Sequence, residues 1–99
     1  MIQVPILDLN TNEEGSVIVP LRKEGQDVKS LDVTGLPAGV TIQVEKSNDG
    51  KNWKTYPNND GTPFIISKDG SYGLTPGRWS IQLLVDSATV PAGLLVTLL

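Results

Sequence analysis

Val40-Thr41-Ile42-Gln43-Val44-Glu45 alternates an apolar β-branched residue with a polar one at every step. A strand sends successive side chains to opposite faces, so this stretch predicts one packed face and one wet face. Arg78-Trp79-Ser80-Ile81-Gln82-Leu83 repeats the alternation, with Trp79, Ile81, Leu83 and then Val85 on one side. Weaker versions run through Ile2–Leu9, Ser16–Leu21, Val28–Val33, Lys54–Tyr56, Pro63–Ser67 and Ala92–Leu98. No window carries the i, i+3, i+4, i+7 spacing of an amphipathic helix. Ten glycines and seven prolines interrupt every stretch long enough to hold one.

The turn chemistry agrees with strands. Asp49-Gly50, Asp60-Gly61 and Asp69-Gly70 each join a residue that tolerates a left-handed backbone to one that adopts it freely, so each predicts a tight hairpin turn. Pro37-Ala38-Gly39, Pro76-Gly77 and Pro91-Ala92-Gly93 each precede a strand. Short strands with turn signals about every 8–12 residues predict an all-β, antiparallel sandwich of about 7–9 strands. The first strand changes phase at Pro5-Ile6: Ile2, Val4 and Ile6 share one parity, Leu7 and Leu9 the other. Proline sits on sheet edges and at bulges, so this predicts a kink at which the chain changes sheets. For residues 1–26 two readings stay open, a strand region of the sandwich or a projecting arm, because Asn10–Gly15 and Lys23–Gln26 are polar breaks.

Composition narrows the function. The 99 residues, 38% apolar and 19% charged, make one small domain that is neither a disordered polyelectrolyte nor a membrane protein. A net charge of −3 has the wrong sign for a general nucleic-acid binder. With no cysteine and no histidine, disulfides, thiol nucleophiles, Ser-His-Asp triads and the usual zinc sites are excluded, and no cofactor is expected. Met1-Ile2-Gln3-Val4-Pro5 lacks the basic region of a secretory signal.

Several stretches carry polar chemistry. Ser47-Asn48-Asp49-Gly50-Lys51-Asn52-Trp53 reads as a hairpin in which Trp53 anchors the return strand. The alternative makes Trp53, Tyr56 and Tyr72 an exposed platform on which a sugar ring stacks, as in a carbohydrate-binding module. Asn58-Asn59-Asp60-Gly61 holds oxygen ligands before a glycine, as a calcium loop does. Pro57 and the absence of any glutamate after Glu45 mark it instead as a polar loop, so no metal is expected. Glu13-Glu14 reads as a loop and Asp86 lies past a strand end, so no carboxylate pair points to an enzyme. Leu21-Arg22-Lys23-Glu24 carries its own counter-charge and reads as a solvated loop.

The C-terminus is more distinctive. If Leu94, Val96 and Leu98 face the core, Leu95 and Leu99 face away from it, and Leu84 interrupts the polar face of its own strand. Leu84, Leu95 and Leu99 are therefore expected to form an apolar stripe against a partner subunit, joined by the edge beside Ile2–Leu9. The competing reading roofs them with a loop or the N-terminal strand of the same chain.

Val33-Thr34-Gly35-Leu36-Pro37-Ala38-Gly39 and the strand after it, then Ser47-Asn48-Asp49-Gly50-Lys51-Asn52-Trp53, resemble the core of small immunoglobulin-like β-sandwich domains in structural proteins of tailed bacteriophages. Tyr72-Gly73-Leu74-Thr75-Pro76-Gly77-Arg78-Trp79-Ser80-Ile81 resembles the loop and following strand of such modules, and Gly93–Leu98 stands where their closing strand does. The resemblance covers roughly residues 27–99. It implies a non-enzymatic capsid decoration, cement or tail-associated subunit, usually a homo-oligomer, that contacts other virion proteins. It further implies assembly in the host bacterial cytoplasm and a final place in the virion, with no nucleic acid or membrane partner.

Overall fold

A computed structural model describes residues 1–9, 12–19, 29–58, 60–74 and 77–99. The described residues hold eleven strands and no helix: β1 (Ile2–Val4), β2 (Ile6–Asp8), β3 (Glu13–Gly15), β4 (Val17–Val19), β5 (Lys29–Thr34), β6 (Ile42–Ser47), β7 (Lys54–Thr55), β8 (Ile65–Ile66), β9 (Gly70–Leu74), β10 (Trp79–Val85) and β11 (Leu95–Leu98). One sheet runs β1-β10-β6-β7, with β4 also on β10 and β8 also on β6; the other runs β3-β2-β11-β5-β9.

The alternating stretches enclose a shared core. Ile81, Leu83 and Val85 of β10 and Ile42 and Val44 of β6 have no exposed surface, and from the other sheet Leu31, Val33, Leu74, Val96 and Leu98 meet them. Burying apolar surface is what drives these faces together, at roughly 25 cal/mol per Å² removed from water. The phase change at Pro5 does switch sheets. Ile2–Val4 pair with Leu83–Val85 in one, while Leu7 and Asp8 pair with Thr97 and Leu98 in the other.

The structure departs from the expected antiparallel sandwich in several respects. The β2–β11 pair is parallel, so the second sheet is mixed. Two strands lie where none was expected. Glu13–Gly15, read as a loop, pairs with Ile6–Asp8. Having no apolar residue, it carries no alternation signal and forms because β2 offers an open ladder. Gly70–Leu74 pairs with β5 although two of its five residues are glycine and only Tyr72 and Leu74 turn inward. Asp69-Gly70 is not a hairpin turn, since it carries the chain from β8 in one sheet to β9 in the other. There the Asp69 carboxylate accepts the backbone N–H groups of Gly35 (3.1 Å) and Leu36 (2.9 Å), tying the crossover to the end of β5.

Within residues 1–26, residues 1–9 and 12–19 supply four strands to the two sheets. The segment Leu21–Glu24, the break at Lys23–Gln26 and the ends of the stretches expected at Ser16–Leu21 and Val28–Val33 lie outside the described residues.

Candidate protein interface

The outward faces of the two sheets differ in chemistry. On the β10 sheet, register places Gln3, Leu84, Gln43 and Ile65 in one row and Ile18 beside Ser80 in another. Leu84 is thus a half-buried apolar residue between two glutamines. Leu95 and Leu99 belong to the opposite face of the molecule, on β11 and just past it, where they are 52% and 47% exposed. The three leucines therefore do not form the single stripe expected from the sequence. Parity fixes only which side of its own strand each occupies, and β10 and β11 lie in different sheets.

A different stripe replaces it. Thr97 pairs with Leu7, and the Leu9 N–H donates to the Leu98 carbonyl (3.2 Å), which sets Leu9 beside Leu99. Leu9 is 48% exposed. Leu7, Leu9, Leu95 and Leu99 thus lie together on the outward face of two neighbouring strands. The N-terminal strand lies alongside β11, not above it, so it does not roof these side chains. Nor is β2 a free edge, because β3 covers its other side. The place of Leu9 beside Leu99 depends on a parallel pairing, which alternation within one strand does not reveal.

The stripe has charged borders. Leu7 pairs with Glu14 on one side, and Thr97 pairs with Asp32 on the other. The row Glu14–Leu7–Thr97–Asp32 spans three strand spacings, which puts the backbones of Glu14 and Asp32 about 14 Å apart. Asp32 also accepts the Ser71 hydroxyl across the next strand pair. Among the described residues, no outward-facing strand position of this sheet is basic.

The aromatics do not assemble into an open platform. Tyr56 is only 6% exposed, and its ring meets Phe64 (5.8 Å between centroids) and Trp79 (6.2 Å) edge-on. Phe64 in turn meets Tyr72 of the other sheet at 6.0 Å. These rings bridge the two layers, with the Lys46 ammonium 5.0 Å from the Trp79 ring centre. Trp53 is half-buried and lies in the connection between β6 and β7. A groove of about 450 Å³ does open beside Tyr56, Asn58, Phe64 and Tyr72. Its polar groups already hold partners: the Asn58 amide donates to the Thr62 hydroxyl and the Pro63 carbonyl, and the Tyr72 hydroxyl donates to the Lys68 carbonyl.

Carboxylates in the turns are likewise engaged. Asp49 accepts the N–H groups of Asn52 and Lys51 (both 2.8 Å), the Ser47 hydroxyl (2.8 Å) and the Asn52 side-chain amide (2.7 Å). These donors, the Asn52 backbone foremost, hold its carboxyl far below the usual carboxylate range. Asp60 accepts the Thr62 hydroxyl and N–H, which lower its pKa also, while Asn59 lies outside the described residues. The Asp60 carboxylate thus closes its own turn. Glu13, Glu14 and Asp8 border a shallow depression of about 260 Å³ with Ser16, Val17 and Ile18.

No protein-family model, curated protein or solved structure matches this chain.

Proposed function

We propose that this chain is a non-enzymatic structural subunit that works through protein–protein contacts, as a decoration, cement or tail-associated component of a phage virion. The two-layer fold is read here as immunoglobulin-like, on the strength of the sequence resemblance. The observation that carries the proposal is the stripe of Leu7, Leu9, Leu95 and Leu99. Large apolar side chains grouped on an outward face are characteristic of a surface that another protein covers. A rigid sheet suits that task, because a backbone held by a hydrogen-bonded ladder loses little further freedom on docking.

Sedimentation tests this reading. Full chain and its L95K variant are each produced in cells releasing phage particles, and the particles are banded on a density gradient. The wild-type chain is expected to band with the particles and L95K to stay with free protein. A folded wild-type chain that never accompanies particles refutes the reading.

A further inference from the structure

We infer that the leucine stripe docks a partner surface whose own apolar centre is flanked by lysine or arginine side chains, and not a second copy of this chain. The inference rests on the reading above and names the partner's chemistry.

The reason is the symmetry of the borders. Glu14 and Asp32 lie in the same register row, one on each side of the two leucine-bearing strands, and Ser71 continues the row beyond Asp32. Two copies docked face to face, leucine on leucine, are related by a two-fold axis in the interface plane. An axis along the stripe sets Glu14 of one copy over Asp32 of the other. An axis across it sets Glu14 over Glu14 and Asp32 over Asp32. When the strands of the two copies pack aligned, both orientations bring carboxylates together as the apolar contact expels water from between them, where like charges repel most strongly. A partner with basic groups about 14 Å apart, matching three strand spacings, turns both borders from repulsive to attractive.

A charge-swapped copy of the chain supplies that chemistry. E14K/D32K presents the same stripe between lysines, and light scattering after size-exclusion chromatography reads the association. At about 0.05 M salt, where screening is weak, wild type alone and E14K/D32K alone are expected at the monomer mass of 10.6 kDa. Their equimolar mixture is expected to run at about twice that mass, to lose the complex when either component carries L95K, and to weaken at least tenfold at about 0.5 M salt.

A wild-type dimer abolished by L95K overturns the inference, since the occupant is then a second copy, and leaves the protein-contact reading standing. A mixture that stays monomeric, with both components folded by circular dichroism, overturns the inference and takes away the support the stripe lends that reading. Where E14K/D32K fails to fold, E14Q/D32N replaces it. With the repulsion removed this variant is expected to dimerise by itself, and a monomer overturns the inference.

Discussion

Replacing Gly35 by alanine tests whether the close approach of two strand ends is as unyielding as it looks. Gly35 follows β5 with φ of +78°, and a Cβ built there lies 2.2 Å from the Gly93 carbonyl oxygen and 2.8 Å from its carbon. Both are backbone atoms, so no side chain can swing aside. The left-handed conformation costs an L-residue about 1–2 kcal/mol. Forcing β5 and β11 apart at their ends adds about 1–3 kcal/mol, the usual range for overpacking. G35A is therefore expected to lose about 2–5 kcal/mol in all. Gly93 supplies the control, because its φ is +82° and a Cβ there meets nothing within 4 Å. G93A should lose only the conformational part, about 1–2 kcal/mol. Urea titrations followed by tryptophan fluorescence measure both, with unchanged m-values showing that the unfolded reference is the same. If G35A proves no less stable than G93A, the steric reasoning is wrong.

Three further outcomes are expected. Ile81→Ala, at a site with no exposure, should cost about 2–5 kcal/mol, whereas L95K at a half-exposed position should change the monomer's unfolding free energy by less than about 0.5 kcal/mol; equal effects would mean that Leu95 belongs to the core. Because folding depresses the Asp49 pKa, its ionised form stabilises the fold above the unfolded value of about 3.9, and that contribution is lost as pH falls through the lower folded value. D49N should therefore flatten the acid limb of stability in urea midpoints taken at successive pH values below neutrality, and an unaltered limb would count against the hydrogen bonding at this turn. D69A deprives the Gly35 and Leu36 N–H groups of their acceptor and should cost about 1–2 kcal/mol, with faster hydrogen exchange at those two amides as its local signature.

Much of the core was legible from alternation alone. Ile42, Val44, Ile81, Leu83 and Val85 were expected inside and are, because their burial depends on a two-residue period that any strand imposes. The outward leucine face was only partly legible. Parity puts Leu95 and Leu99 on the outer side of their strand and Leu84 on the outer side of its own, but only the sheet order separates Leu84 from them and sets Leu9 beside Leu99. The aromatics gave no clue to their arrangement, since Tyr56 and Tyr72 meet Phe64 from different sheets.

Local chemistry, then, determined that this chain is built of strands, which side of each alternating strand seeks the interior, and that Pro5 takes the first of them from one sheet to the other. Each depends on neighbours within a few residues. Only the tertiary structure decided which strands pair, that β2 lies parallel to β11, that Glu13–Gly15 and Gly70–Leu74 join the sheets, and which leucines share a face. Those outcomes depend on hydrogen-bond ladders between segments far apart in the chain, and a period of two within one strand is blind to the strand beside it.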